Sequence, residues 1–188
     1  MKVPLDTVLE SKRCRLHCVS EADTDYYWEV LQYPGFTAGL LVNPAKSKKE
    51  VVQWIKNDLA AWAKSEKFYF SVLSKSKEFL GRINIRSVHS QGIWNMGFWI
   101  LPAHWGKGYA AEAAKTVFEF AFEQLQVKQM CAAHAQANIQ SKRVLGKIGM
   151  RLVENKEKGF LKNDNWVANR RYEFTRDDWF SRKRKNLR

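Results

Sequence analysis

A glycine turn in the middle of the chain constrains the fold more than any other feature. The turn, Trp105–Ala110 (WGKGYA), leads directly into a stretch whose apolar residues recur at helical spacing as far as Leu125. A β-prone run, 94–100, precedes the turn, and another, 127–135, follows the helical stretch. The sequence therefore predicts a strand, a glycine turn, a helix and a second strand in direct succession.

Further strands and helices are predicted around this unit. Strands are expected at 13–19, 68–73, 79–88 and 166–175, with 68–73 and 79–88 forming an antiparallel hairpin. Ser20–Asp23 and Ser47–Glu50 have the pattern of capping boxes, which predicts helices that end near Leu31 and Trp62. A short helix, 141–148, is expected to end at Gly149. Together these elements predict one α+β domain over residues 1–180, with helices on both faces of a sheet.

Composition and charge limit the partners. The 188 residues contain 32 Lys and Arg against 19 Asp and Glu, a net charge of +13, which favours anionic partners such as phosphorylated cofactors or RNA. The same charge weighs against a cationic substrate. The basic segment 181–188 is expected to be a solvated tail, with RNA contact as the alternative.

Membrane, disulfide and metal signals are weak. No run approaches the roughly 18 apolar residues of a spanning helix, and the N-terminus lacks the apolar region of a signal peptide, so we expect a cytoplasmic protein without membrane contact. The three cysteines form no disulfide framework and, with the four histidines, no metal-ligand spacing. We expect reduced core thiols and no metal.

The glycine turn itself has the features of a phosphate site. Gly106 and Gly108 lack Cβ, so the backbone can adopt positive φ and approach phosphate oxygens, while the following helix offers unpaired N–H groups and its positive end. The alternative is a tight turn without a ligand. The turn lacks the Gly-Lys-Ser/Thr of a Walker loop, and Ala111 occupies the third glycine position of a dinucleotide fingerprint, which argues against both.

Two motifs lie about 30 residues apart, Trp105–Ala113 (WGKGYAAEA) and Asn138–Met150 (NIQSKRVLGKIGM). The first resembles the acetyl-CoA pyrophosphate loop of the GNAT acetyltransferase superfamily, although Trp105 stands where Gln or Arg is usual. The second resembles the pattern N-x-x-S-x-x-V-L-x-K-x-G-F of the ribosomal-protein N-acetyltransferase (RimJ/RimL-like) branch of that superfamily.

This resemblance, which extends over roughly residues 12–179, implies a mostly antiparallel mixed sheet whose fourth and fifth predicted strands splay apart around acetyl-CoA. Ile100 and Leu101, at the end of the fourth predicted strand, would pair with the pantetheine amides. Asn138 would contact the pantetheine arm, cap its helix, or do both. The full set of residues implied in cofactor binding is Ile100, Leu101, Trp105, Gly106, Lys107, Gly108, Tyr109, Ala110, Asn138 and Ser141.

Two proton transfers need residues, because the amine must be neutral to attack and the leaving thiolate must be protonated. The resemblance places Ser141 near the CoA sulfur, and its alternative role is to cap backbone groups. The position of the family's Glu base corresponds to Asn95, which cannot take a proton. His134 is the first remaining candidate for the base, followed by His89 and by Glu154 and Glu157 in a loop after Met150. Glu112, in the first turn of the helix, is read as structural.

The lack of a clear general base favours one class of acceptor amine. An α-amine with a pKa near 8 is roughly a fifth neutral at pH 7.4, whereas a lysine amine is only about one part in a thousand neutral. We therefore expect acetyl-CoA-dependent acetylation of a protein N-terminus, with ribosome or RNA contact through the basic surface, by a monomer or homodimer. The alternatives are a small-amine enzyme of the antibiotic or polyamine type and a non-catalytic protein that binds acyl-CoA or nucleic acid.

Overall fold

An eight-stranded sheet forms the centre of the protein. The computed structural model describes residues 2–40, 43–88 and 92–185. The strands lie in the order β1-β2-β3-β4-β5-β6-β8-β7, and all neighbours pair antiparallel except β5 and β6, which are parallel. They are β1 (Val8–Glu10), β2 (Cys14–Cys18), β3 (Lys67–Ser74), β4 (Phe79–Ser87), β5 (Ile93–Ile100), β6 (Gln129–Ala135), β7 (Arg151–Lys162) and β8 (Asn165–Thr175).

Five α-helices in the described ranges accompany the sheet. They are α1 (Thr24–Leu31), α2 (Lys48–Ala63), α3 (Tyr109–Glu119), α4 (Ile139–Ile148) and α5 (Arg176–Lys185). A parallel pair needs a crossover connection, and α3 with its π-helical extension, Phe120–Gln124, provides it between β5 and β6. The predicted strand, turn, helix and strand succession is therefore confirmed.

The helices cover both faces of the sheet, as predicted for an α+β fold. Successive residues of a strand point to opposite faces, so Tyr69 and Phe70 of β3 belong to different layers. Phe70 packs in a cluster with Val117 of α3, whereas Tyr69 packs against a second cluster that contains Tyr27 of α1 and Ile55 of α2. One apolar layer thus lies under α3 and α4, and the other under α1 and α2.

The predicted helix starts are confirmed by their caps. The Ser20 N–H donates to the Asp23 carboxylate at 2.8 Å, and the Ser47 hydroxyl accepts from the Glu50 N–H at 3.2 Å. The Glu50 carboxylate in turn accepts from the Lys46 N–H at 2.7 Å. α1 and α2 also end within one residue of the predicted positions.

Two strands differ from the sequence prediction. β1 adds a strand at the N-terminus, so the splaying pair, predicted as the fourth and fifth strands, is β5 and β6. Glu154 and Glu157 lie in β7 and not in a loop. The charged sequence of β7 gives little strand signal, and the strand forms because it pairs along its length with β8.

The basic segment predicted as a solvated tail is helical over 181–185, and the rest of it lies outside the described residues. The Arg182 guanidinium donates to the carbonyls of Ile148 and Gly149 at 3.1 and 2.9 Å. The Lys183 ammonium ion-pairs with Glu123 at 2.7 Å. These contacts dock α5 on the ends of α3 and α4 although α5 has no buried residue of its own.

The three cysteines are buried and unbridged, as predicted. Burial raises the pKa of all three thiols, that of Cys18 to about 12. None of the helices in the described ranges is long and apolar enough to cross a membrane. Among those same residues, no three His, Cys, Asp or Glu side chains are grouped so that they could hold a metal ion.

Gly149 at the end of α4 tests how α5 is held. Its φ of 85° is left-handed, and a Cβ there would overlap the Arg182 guanidinium. We expect Gly149→Ala to lower the free energy of unfolding by the roughly 1–2 kcal/mol of a left-handed non-glycine residue plus the loss of the Arg182 contacts. Urea denaturation measures the total loss in the free energy of unfolding.

Gly35→Ala is the matched control, because Gly35 has a similar φ of 76° and open space where the Cβ would be. Arg182→Ala removes the contacts with the end of α4 without straining the backbone at Gly149. In the double variant it should therefore lower the free energy of unfolding little beyond the effect of Gly149→Ala. Equal losses in Gly149→Ala and Gly35→Ala would contradict the proposed coupling between α4 and α5.

Candidate functional site

The site begins where β5 and β6 separate. Their parallel pairing runs only from Ile93 with Gln129 to Met96 with Ala132. Beyond this point β6 continues to pair with β8, while the end of β5 pairs only with β4. The structure therefore contains the predicted splay, and it leaves one edge of β5 open.

The glycine turn lies at the end of this open edge. Gly106 and Gly108 both adopt left-handed φ, 76° and 84°, which L side chains rarely adopt. The first helical hydrogen bond of α3 runs from the Glu112 N–H to the Gly108 carbonyl at 3.1 Å. The N–H groups of Tyr109 and Ala110 consequently have no partner within the helix, and a helix start of this kind is suited to an anion.

Arg13, in the turn between β1 and β2, anchors the glycine turn from outside. Its guanidinium donates to the Lys107 carbonyl at 3.0 Å, ion-pairs with Glu112 at 2.6 Å and lies 4.6 Å from the centre of the Tyr109 ring. Burial alone would raise the pKa of Glu112, but hydrogen bonds from Ser11 and Arg13 hold that pKa below its ordinary value. The structural reading of Glu112 is confirmed.

Positive charge at the turn comes from residues that the sequence analysis missed. The Lys107 side chain is exposed, whereas Arg143 and Lys147 of α4 line the cavity beside the turn. A Cβ placed on Gly108 would lie 3.5 Å from Arg13 Nη2 and 3.7 Å from Lys147 Nζ. Lys147 is the Lys of the second motif, so that motif carried a usable signal, while Arg13 carried none because only the fold brings it here.

The open edge of β5 fits the predicted pairing with an extended ligand, but with a change of residues. The Leu101 N–H donates to the Leu80 carbonyl at 2.8 Å, and its carbonyl accepts from His104. Both backbone groups of Leu101 are therefore engaged, and Leu101 does not fit the predicted role. Since N–H groups alternate between the two edges of a strand, those of Phe98 and Ile100 face the gap.

Trp105 occupies one further backbone group on the open edge of β5. Its indole Nε1 donates to the Ile100 carbonyl at 2.7 Å, which fixes the start of the turn against the end of β5. At the position where the family usually has Gln or Arg, this chain thus has a side chain that bonds to β5. The N–H of Ile100 and both backbone groups of Phe98 remain for a ligand.

Asn138 caps α4, as one of its two predicted roles required. Its Oδ1 accepts from the Ser141 N–H at 2.9 Å, and its Nδ2 donates to the Gly39 carbonyl at 3.0 Å. Gly39 belongs to the segment between α1 and α2, which Lys162 of β7 also holds through the carbonyls of Thr37 and Leu40. Asn138 therefore ties the start of α4 to the opposite wall of the site.

Two cavities meet at the splay. The loop cavity, about 640 Å³, contains the glycine turn, the open edge of β5 and the start of α4. The sheet cavity, about 690 Å³, lies over β3, β4 and β5 under α1 and α2. Six residues line both: Phe36, Gly39, Leu40, Phe98, Trp99 and Ser141. A ligand in one cavity can consequently reach a ligand in the other.

Ser141 lies at this junction. Its backbone N–H is used by the Asn138 cap, which holds the first turn of α4 in place. Its hydroxyl, in contrast, has no hydrogen-bond partner among the described residues, and the side chain lines both cavities. A hydroxyl in this position can donate a proton to a group at the junction.

His134 is also at the splay, but its ring is engaged. Nδ1 lies 2.7 Å from the Ala135 carbonyl, so it must donate, and Nε2 accepts from the Tyr172 hydroxyl at 3.3 Å. Burial lowers the pKa of His134, and Arg170 and Lys142 lower it further against the opposing effect of the Ala135 hydrogen bond. The imidazole is thus held neutral, which a base requires, although its lone pair already has a partner.

The other base candidates are separate from the junction. Glu154 lies in β7, where it contacts Lys156 and Arg171. Glu157 lies on the same strand, and neither lines the two cavities. Asn95 lines the sheet cavity and donates to the Cys131 sulfur at 3.7 Å. His89 lies outside the described residues.

The splayed sheet and the glycine turn define an α+β fold in which an open strand edge and an exposed helix start lie beside two joined cavities. Comparison with known families gives the particular assignment. The acetyltransferase (GNAT) domain model matches residues 13–151, and the chain belongs to this family. It is an N-acetyltransferase, and the family uses acetyl-CoA.

One sequence relative and two solved structures illustrate the family, and the two structures share the fold but are named for different substrates. The chain is 30% identical to the uncharacterized protein YkkB of Bacillus subtilis over 156 residues, 77% of this chain and 85% of YkkB. It superposes on RimL, a ribosomal alpha-N-protein acetyltransferase, with a TM-score of 0.82 at 10% identity, covering 90% and 94% of the two chains. A spermidine N-acetyltransferase from Vibrio cholerae gives 0.80 at 14% identity, covering 90% and 99%.

Gly108→Ala tests whether the turn binds phosphate. A Cβ there would distort a left-handed backbone and lie between Arg13 and Lys147. We expect the Kd for CoA in calorimetry to rise by about tenfold or more, the equivalent of one charge-assisted hydrogen bond. Gly92→Ala is the control, because Gly92 has a similar left-handed backbone and the atoms nearest to its added Cβ belong to the flexible Lys128 side chain. An unchanged Kd for CoA in Gly108→Ala would contradict phosphate binding by the glycine turn.

Burial of neutral His134 predicts a pH-dependent stability. Because its folded pKa is lowered, the unfolded chain binds a proton first as the pH falls below about 6.5, and the folded state loses stability there. His134→Gln keeps both hydrogen bonds in principle and should reduce the fall in Tm between about pH 7 and pH 5. Tyr172→Phe keeps the imidazole and should retain the fall. Identical pH profiles for wild type and His134→Gln would refute this.

Proposed function

We propose that this protein transfers the acetyl group of acetyl-CoA to the N-terminal α-amine of a protein, with a ribosomal protein as the favoured acceptor. The observation that carries the proposal is the charge of the sheet cavity. Its described lining contains one carboxylate, Asp58, which is ion-paired with Arg82, and one further cation, Arg86. A polyamine needs unpaired carboxylates, which this lining does not offer.

The loop cavity fits acetyl-CoA. Gly106, Gly108 and the start of α3 would bind the pyrophosphate, with Tyr109 and Ala110 contributing N–H groups and Lys147 adding positive charge. The free N–H groups of Phe98 and Ile100 would pair with the pantetheine arm, as in strand addition. This placement brings the thioester to the junction with the sheet cavity.

The chemistry needs few groups beyond this placement. Acetyl-CoA supplies an activated thioester. The neutral amine attacks the carbonyl carbon, the new C–N bond replaces the C–S bond, and the Ser141 hydroxyl donates a proton to the leaving thiolate. His134 Nε2 would accept the proton of the amine, directly or through water, once the Tyr172 hydroxyl no longer occupies its lone pair. That proton then returns to the Ser141 oxygen, so that CoA leaves as the thiol and both side chains are restored.

The preference for an α-amine follows from this weak base. His134 is neutral but already hydrogen-bonded, so the site is poorly equipped to deprotonate a lysine, which would cost about 3 kcal/mol more than an α-amine. The net charge of +13 supports docking of the enzyme on an RNA-rich particle. The exposed Arg184 and Lys185 of α5 contribute to that charge.

Transfer of labelled acetyl from acetyl-CoA into a cell lysate tests the proposal. We expect label in a discrete ribosomal protein, located at its N-terminus by mass spectrometry. Label confined to acid-soluble amines would instead indicate a small-molecule enzyme. CoA binding without transfer in any fraction would indicate a non-catalytic protein.

Ser141→Ala is the paired variant. General acid catalysis is worth about 10²-fold or more, so we expect kcat to fall by about that factor while the Kd for CoA changes little. Ser181→Ala, in α5, is the matched control. A kcat for Ser141→Ala within about twofold of wild type would remove Ser141 from the mechanism.

A further inference from the structure

We infer that the acceptor carries a carboxylate close to its amine, and that Arg86 binds this carboxylate in the sheet cavity with Asn84 and Asn95. This inference rests on the proposed transfer to an N-terminal amine. It specifies an acidic side chain in the first or second residue of the acceptor.

The three side chains lie on one face of the sheet. Asn84 and Arg86 are two residues apart on β4, and their register partners on β5 are Gly97 and Asn95. Residues at this spacing point to the same face, and all four line the sheet cavity. They form a row that leads from the splay to the far end of the cavity.

Gly97 allows this row to form. A Cβ at this position would lie 3.0 Å from Asn84 Oδ1, so the absence of a side chain lets the Asn84 amide lie across β5. Gly97 is also the first residue of β5 beyond the paired segment that ends at Met96. The amide donors of Asn84 therefore lie beside the junction where the amine must react.

Arg82, the third cation on this face, already has its charge paired, although its buried Nε has no hydrogen-bond partner among the described residues. Its guanidinium is ion-paired with Asp58 and lies 4.2 Å from the Tyr69 ring centre and 5.2 Å from that of Tyr27. Burial raises the pKa of Asp58, against the effect of Arg82, but the pair contributes no net charge. It forms a fixed wall of the cavity.

Arg86, in contrast to Arg82, has an unpaired charge. It is exposed and has no ion-pair partner among the described residues. Its register partner on β3 is Lys67, so two like charges lie directly opposite each other, an arrangement that is unfavourable without an anion. The Asp58 carboxylate acts on Lys67 as well as on Arg82, so the three cations on this face of β3 and β4 share one carboxylate. A carboxylate from the acceptor would offset this excess of positive charge.

Spacing selects an acidic side chain. The pair Gly97 and Asn84 is two residues along the strands from the pair Asn95 and Arg86, which is about 7 Å. An amine at the junction and a carboxylate at Arg86 are therefore separated by about the reach of a glutamate or aspartate side chain in the first two residues. The Arg86 side chain can span the remaining distance.

Acetylation of matched peptides tests the inference. In the first set of peptides, the first residue is Glu, Gln or Lys. In the second set, the first residue is Ala and the second residue is Glu, Gln or Lys. The peptides are otherwise identical. We expect kcat/KM for the Glu peptide to exceed that for the isosteric Gln peptide by about tenfold at one of the positions, mainly through KM, and Lys to be poorest. Free glutamate, run in parallel, distinguishes an amino acid acceptor from a peptide.

Variants of Arg86 identify the residue responsible. Arg86→Gln should reduce the ratio of Glu to Gln to within about twofold, and Arg86→Glu should favour the Lys peptide. Because Arg86 is exposed, both variants should fold, and Tm measures this directly. Arg184→Gln removes an exposed arginine from α5 and should keep the wild-type ratio.

The outcomes distinguish a failure of the carboxylate site from a failure of the proposed acceptor. Acetylation of the peptides with equal rates for Glu and Gln, or a ratio that Arg86→Gln leaves unchanged, overturns the carboxylate site alone. Acetylation of free glutamate but of no peptide would retain the carboxylate chemistry and overturn the acidic N-terminus. No acetylation of any of these amines by active enzyme overturns the inference together with the proposed acceptor.

Discussion

The early end of the pairing between β5 and β6 is the feature on which the rest of the structure depends. A parallel pair requires a long crossover, and here the crossover places the start of α3 at the end of β5. Ending the ladder at Met96 and Ala132 leaves backbone groups of Phe98 and Ile100 without a strand partner, which is unfavourable unless another group binds them. The same break therefore creates both the open edge and the opening between two cavities.

Long-range contacts hold this opening in shape. Arg13 ties the N-terminal strands to the glycine turn, so the turn does not depend on its own sequence alone. Asn138 and Lys162 hold the segment between α1 and α2 against α4 and β7, and that segment lines both cavities. The walls of the site thus come from distant parts of the chain, and each wall is fixed by hydrogen bonds to another.

Charge is distributed in a way that separates the two cavities. Arg13, Arg143 and Lys147 surround the start of α3, where an anion would also meet the positive end of the helix. In the sheet cavity, Asp58 and Arg82 cancel each other and leave Arg86. The basic composition is therefore divided between a helix start with several cations beside it and a cavity with one unpaired arginine, which the net charge alone could not specify.

The sequence by itself determined the central unit, the caps, the family and the glycine turn, because these depend on local backbone preferences and on short motifs. It could not place β7 or α5, whose charged sequences are ordered by β8 and by carbonyls at the end of α4. It also assigned the pantetheine contact to Leu101, whereas the neighbouring strand already binds that residue. Only the tertiary structure decided which backbone groups stay free, which cations meet at the turn, and how Arg86 differs from Arg82. Those properties depend on partners far apart in the chain, and no local pattern records them.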